Sequence, residues 1–227
     1  MRINAQALRL TGTSRRPGRT FISLISLISL CSFATACGEV ARTGRSPAFL
    51  IIDALEAASG AEPDAFGSVL YSDVETIVEN QVAGQTVRTP TIFSDTGRVT
   101  LRLALKNPGT ATAPLGPSTL NEVTIRRYRV NFLRSDGRNR PGIDVPHAFD
   151  GAVTVTVPAT GTASVAFGLV RHQAKLEPPL SNLVRGGAAN MISTIAEITF
   201  YGSDQAGNEI SVTGLLSVNF GDFGDPG

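Results

Sequence analysis

The chain has 227 residues, with 20 Lys and Arg against 19 Asp and Glu. The first 36 residues hold five arginines and no acid, so the rest carries 15 bases against 19 acids, a net charge of −4. A mildly acidic body argues against nucleic acid as a partner, which wants a basic patch, while 42% apolar residues suffice for a core and two cysteines are too few for a disulfide framework.

Residues 1–20 are basic, and residues 21–36 (FISLISLISLCSFATA) form an apolar run interrupted by Ser23, Ser26, Ser29 and Ser32. A spanning helix needs about 20 apolar residues. The run predicts an export signal over residues 1–36, with cleavage preferred to a retained anchor helix. Arg15-Arg16 hints at the twin-arginine route, but Pro17-Gly18-Arg19 follows where that motif wants apolar residues. Cys31 lies inside the run, and Cys37 lies at its end, in Ala34-Thr35-Ala36-Cys37-Gly38. These five residues resemble the lipobox of bacterial lipoproteins, with Ala34 where Leu is usual. The resemblance implies lipidation of Cys37 and a firm membrane anchor, since two or more chains hold stably. The alternative is plain small-residue cleavage after Ala36, releasing a soluble protein. Residues 37–47 read as a polar tether, whose ten residues from Gly38 span roughly 17 Å as a flexible coil.

From residue 48 to 222 the signal is period-2 alternation, the mark of half-buried strands. Residues 49–54 (FLIIDA) predict a first strand whose unbroken apolar run implies burial on both sides or a change of sheet. Asp95-Thr96-Gly97 predicts a turn. The strand after it puts Val99, Leu101, Leu103 and Leu105 on one face, and Asn107-Pro108-Gly109 ends it. In residues 123–134 the apolar face changes parity, from Val123 and Ile125 to Tyr128, Val130 and Phe132. One extra residue near Arg126-Arg127 does this, so a β-bulge is expected there, unless the two halves serve different sheets. Val153, Val155 and Val157 form the next strand, and residues 158–161 read as a tight hairpin into residues 163–172. Residues 195–202 and 210–220 predict the last two strands, joined at Asp204-Gln205-Ala206-Gly207-Asn208. The long connection over residues 173–190 has room for at most a short helix. Residues 223–227 read as a tail.

Short strands, Gly/Pro turns and no long helix predict an all-β fold, an antiparallel β-sandwich. Two stretches carry a closer resemblance. VTLRLALKNPGTATAP (residues 99–114) resembles the strand-plus-turn of bacterial CARDB-like and related immunoglobulin-like domains. ITFYGSDQAGNEISVTG (residues 198–214) resembles the final hairpin of bacterial immunoglobulin-like domains. Together they imply an immunoglobulin-like sandwich, one enlarged domain in which residues 56–94 supply an insertion, extra strands or a partial second layer. The chain as a whole looks like an exported bacterial protein of uncharacterised role.

The chain has no G-x-S-x-G elbow, H-E-x-x-H, C-x-x-C, P-loop or dinucleotide fingerprint. With two histidines a His-rich metal site is excluded. His147 and Asp150 could pair as base and orienter; the alternative is a loop histidine packed on Phe149, with Asp150-Gly151 turning into the next strand. His172 ends a strand and reads as a surface or packing residue. Arg126, Arg127 and Arg129, with Arg134, Arg138 and Arg140 beyond, could meet an anionic ligand such as a lipid headgroup or acidic glycan. The other reading is a solvated strand face in a chain with 18 Arg and 2 Lys. Asp204, Asn208 and Glu209 sit in one hairpin and could ligate Ca²⁺, or Asp204 could cap a tight turn. Asp222 and Asp225 lie in or near the tail, without calcium-loop spacing. No cofactor is implied. The function expected is a non-catalytic cell-envelope lipoprotein, held to the membrane at Cys37, in a binding or scaffolding role toward an envelope protein or glycan. The alternatives are a carbohydrate- or calcium-binding surface module and an unrecognised hydrolase.

Overall fold

A computed structural model describes residues 45–186 and 190–223. The signal segment and Cys37 lie outside the described residues, as does the tail beyond Phe223. In chain order the strands are β1 (Ala48–Ala58), β2 (Val69–Asp73), β3 (Thr76–Val82), β4 (Gln85–Thr91), β5 (Asp95–Leu105), β6 (Gly109–Thr110), β7 (Ala113–Pro114), β8 (Val123–Leu133), β9 (Phe149–Val157), β10 (Thr162–Val170), β11 (Ile192–Asp204) and β12 (Glu209–Gly221). One short helix, α1 (His172–Leu176), and single 3-10 turns at Thr119–Asn121 and Leu180–Leu183 lie between them. The protein is all-β. One sheet has the order β1-β5-β10, a second β2-β12-β11-β8-β9, and two hairpins, β3-β4 and β6-β7, stand apart from them. The main pairings are antiparallel except β2 with β12, which is parallel.

Alternation explains the packing. On β5, Val99 and Leu101 are fully buried while Arg98 and Arg102 face out. Ile198 and Phe200 on β11, and Val218 and Phe220 on β12, point into the same core from the other sheet. The two sheets meet face to face at an aromatic cluster. Phe167 of β10 lies 5.1 Å from Tyr128 of β8 and 5.1 Å from Phe200 of β11, centroid to centroid. The Tyr128 hydroxyl crosses the same gap and donates to the Gly168 carbonyl at 3.0 Å. Burying a phenol is tolerable only with such a partner. Gly151 on β9 leaves room for this ring, since a Cβ there would lie 2.2 Å from it.

The parity change in β8 is a bulge. Pairing with β11 passes from Gly202–Ile125 to Tyr201–Arg127, so Arg126 is the extra residue against β11, and on the other side β9 places Val153 and Thr154 opposite it. A second bulge explains the unbroken apolar run of β1. The register with β5 shifts between Ile52 and Ala54, so Ala48 and Leu50 point inward before it and Ala57 after it.

Three expected turns are corrected. Asp95-Thr96-Gly97 opens β5 rather than preceding it, because the Asp95 carboxylate is fully buried among donors that hold the chain in the sheet. Residues 158–161 do not close a hairpin. β9 pairs with β8 and β10 with β5, so the turn carries the chain from one sheet to the other. Turn residues permit both outcomes; the inward apolar faces of both strands decide it. Asp150 and Gly151 are likewise within β9, not in a turn. Residues 56–94 hold the end of β1, the edge strand β2, the β3-β4 ribbon and the link to β5.

Candidate functional site

The outer faces of the two large sheets differ in chemistry. Across the three-stranded sheet, charges face out in pairs, with Arg98 on Glu56 at 2.9 Å and Arg102 on Asp53 at 2.7 Å. Thr100 and Ser164 share a hydrogen bond beside them. Such a face is satisfied by its own partners and water.

The outer face of the five-stranded sheet changes character along its strands. At the end near the β8 bulge it is charged. Asp150 accepts from Arg127 at 3.3 Å and from Arg129 at 2.8 Å. The Arg127 guanidinium also lies 4.2 Å from the Tyr201 ring centre. Farther on, Arg134 and Arg138 share Asp136, and Arg140 holds Asp144. The Arg134 hydrogen bond, joined by those from Arg138, holds the Asp136 carboxyl well below the usual carboxylate range. Five of the six arginines are thus ion-paired, but with three acids, so the stretch is half neutralised; the pairing supports the solvated-face reading, and the remaining positive charge keeps the anion reading beside it.

At the other end the register brings neutral residues into two rows. Leu133, Ile195, Ser217 and Val69 are successive cross-strand neighbours over β8, β11, β12 and β2. In the next row Ser193, Asn219 and Tyr71 are neighbours. Together with Ser135 and Thr194, most of these residues line an open groove of about 370 Å³. Tyr71 is 59% exposed, and Leu215, a little farther along β12, is 64% exposed. Phe223 braces the Tyr71 ring edge-to-face at 5.8 Å, and its backbone N–H is held by Asp73 Oδ1 at 3.0 Å. Sequence reading missed this site because β2 has no long alternation to mark it. The neutral outward residues of β12, Ser217 and Asn219, were the visible half of the signal.

The calcium candidates resolve into a turn. Asp204 is buried, and its carboxylate accepts from the Ala206 N–H at 3.0 Å, the Asn208 N–H at 2.9 Å and the Asn208 side-chain amide at 2.9 and 3.2 Å. Burial opposes its ionisation, but these hydrogen bonds and one from Ser46 prevail and hold its pKa below the ordinary value. Asn208 presents its amide N–H groups to Asp204, and a cation would have to displace them. No group of three or more His, Cys, Asp or Glu among the described residues is placed to hold a metal ion. Ser46, at the end of the expected tether, is itself buried.

No hydrogen bond joins His147 to Asp150, whose carboxylate is engaged by the two arginines. His147 lies against Gly142. His172 opens α1, its N–H donating to Ser94 Oγ at 3.0 Å.

A polar cluster that sequence reading missed lies inside. Lys175 on α1 and Asp95 on β5 are 1% and 0% exposed and 2.9 Å apart. Lys175 Nζ also donates to the Asp73 carbonyl at 2.7 Å, while Ser72 Oγ and the Gly60 N–H donate to Asp95 at 2.6 and 2.9 Å. Serine, lysine and aspartate invite comparison with a hydrolase centre. Here the serine hydroxyl donates to a carboxylate that also takes the lysine and a backbone N–H, and all three side chains are buried. The cluster ties α1, β2 and β5 together.

No helix among the described residues is long and apolar enough to cross a membrane. Comparison of the chain with protein-family models, curated proteins and solved structures finds no match.

Proposed function

We propose that this protein is a non-catalytic binding module of the bacterial envelope, exported by residues 1–36 and anchored by lipid at Cys37, and that it makes contact through the outer face of its five-stranded sheet. The observation that carries the reading is the contrast between the two outer faces. One carries paired charges beside a single exposed Phe49, and the other leaves Val69, Tyr71 and Ile195 exposed around a neutral groove, with Leu215 exposed farther along beside Glu197. Solvent-facing apolar residues gathered on one face mark interaction surfaces more often than scattered ones do.

We also infer an immunoglobulin-like sandwich. Three features support it. Strands β1, β5 and β10 lie opposite β8, β11 and β12, as the A, B and E strands lie opposite C, F and G in that fold. β9 sits beside β8, in the place of the extra strand of variable-type domains. Tyr128 fills the core from β8, where antibody domains place a buried Trp on strand C. The B–F disulfide has no counterpart, because the body holds no cysteine.

Two measurements test the reading. Cys37→Ser should move the protein from the membrane fraction to the soluble one and abolish fatty-acid labelling. A photo-crosslinking residue at Leu215 should capture a ligand or partner in intact cells, and one at Ala166, on the outer face of the other sheet, should not. A wild-type protein that is soluble and unlabelled sinks the anchor; equal or absent capture at both positions sinks the contact face.

A further inference from the structure

On the outer surfaces of this protein, cross-strand hydroxyls bond each other at three places. Thr100 and Ser164 are 2.7 Å apart, Thr124 and Thr156 3.1 Å, and Thr199 and Thr213 2.9 Å. The groove departs from this habit. No hydrogen bond among the described residues engages the side chains of Ser135, Ser193, Ser217 and Asn219, although all four line one concavity. Thr194 is the exception: buried, it donates to the Val218 carbonyl at 3.1 Å and so fixes the floor.

The walls complement the floor. Val69 and Ile195 flank Ser217 on either side, and Tyr71 flanks Asn219. Neighbouring strands lie about 4.8 Å apart, so the trench over β12 is roughly 10 Å wide, the scale of one ring-shaped ligand unit. No charged side chain lines it. Tyr71 is the only aromatic among the lining residues, and Phe223 holds it from the side, so little freedom is lost when a ligand covers its exposed surface.

We propose that this groove binds a neutral saccharide. A sugar ring has an apolar C–H face and a rim of hydroxyls that both donate and accept. The Tyr71 ring and the Val69 and Ile195 side chains match the face. Ser193, Ser217 and Asn219, each able to donate and accept, match the rim. The absence of charge selects an uncharged glycan over an acidic one. A protein partner fits less well, because protein hot spots lie in fully desolvated apolar pockets and this floor is polar throughout. The proposal rests on the contact face described above and names its ligand class.

Isothermal titration of the mature soluble body with cellohexaose, maltohexaose and N-acetylchitohexaose tests it, with polygalacturonate as the acidic comparison. At least one neutral hexamer should bind. Tyr71→Ala should weaken that binding about tenfold, while Tyr71→Phe retains it. Ser217→Glu, at an exposed position, should abolish it by filling the floor with a charge. Melting curves check that each variant is folded, and Ser217→Glu keeps the test decisive if Tyr71→Ala is not. Failure of every neutral hexamer, tighter binding of polygalacturonate, or binding unaffected by both Tyr71→Ala and Ser217→Glu overturns the proposal. If the hexamers fail while a crosslinker at Leu215 still captures a protein in cells, the saccharide is wrong and the contact face stands. If both fail, the contact face falls with it.

Discussion

Lys175 shows what one side chain can hold together. The chain uses arginine 18 times and lysine twice, yet a lysine occupies the sealed position. Its compact ammonium needs few acceptors, and Asp95 and the Asp73 carbonyl supply two. An arginine would bring five donors in a planar fork, more than these two partners meet. The pair is costly to break by halves, because removing one partner leaves the other charge buried and alone. Lys175→Met should therefore cost about 3–5 kcal/mol. Lys175→Met with Asp95→Leu should cost clearly less than the two single changes added together, because no charge is then left buried. Urea unfolding of the three variants measures this, and strict additivity would show that the two charges are not coupled. Little of the cluster was legible in the sequence. Its members lie 80 residues apart, and neither alternation nor turn chemistry points from Lys175 to Asp95. The one clue was composition, a rare lysine kept where arginine was the habit.

At the scale of the element, the β11–β12 hairpin was readable almost whole. Alternation predicts both strands and D-Q-A-G-N the turn between them, in which Gly207 takes a positive φ of +81°. The bulge at Arg126 was readable for the same reason, since a period of two makes one inserted residue visible. The β3-β4 ribbon was not, because most of its residues face solvent and no core pattern marks it. Nor could the sequence say that the turn after β9 changes sheets, which depends on packing across the gap. Within the hairpin, the structure ranks the turn residues. Nothing lies within 4 Å of a Cβ placed at Gly207, so Gly207→Val suffers backbone strain alone, about 1–2 kcal/mol. Asp204 is buried and receives several N–H donors, so Asp204→Ala should cost at least as much, about 1.5–3 kcal/mol. The acid side follows from the lowered pKa. Stability contributed by a depressed carboxyl is complete above its unfolded value, about 3.9, and is lost as pH falls through the lower folded value. Asp204→Asn should therefore lose stability less steeply than wild type below about pH 4. Calcium should leave the wild-type melting temperature unchanged. A rise with calcium that Asp204→Ala abolishes would restore the metal reading.

At the scale of the whole molecule, the question is what keeps two sheets in register without a covalent tie. Antibody domains use a disulfide between the sheets, packed on a tryptophan. This body has neither residue type. In their place Phe167 projects from the three-stranded sheet between Tyr128 and Phe200 of the five-stranded one, and the Tyr128 hydroxyl bonds back across the gap. Two consequences follow. Reductant should not change the melting temperature of the body, because no disulfide can form within it. Phe167→Ala should be costly, about 3–5 kcal/mol, because it opens a cavity at the centre of the interlayer contact. It also removes two ring contacts beyond the lost apolar area. Tyr128→Phe isolates the polar part. It keeps the ring but leaves the Gly168 carbonyl without this donor, so it should cost about 1 kcal/mol. If the cluster is the joint between the sheets, Phe167→Ala should lower the near-ultraviolet and far-ultraviolet transitions together, as for a single cooperative unit. Separate transitions for the two signals would mean that each sheet has a core of its own, and that the aromatic cluster merely fills the space between them.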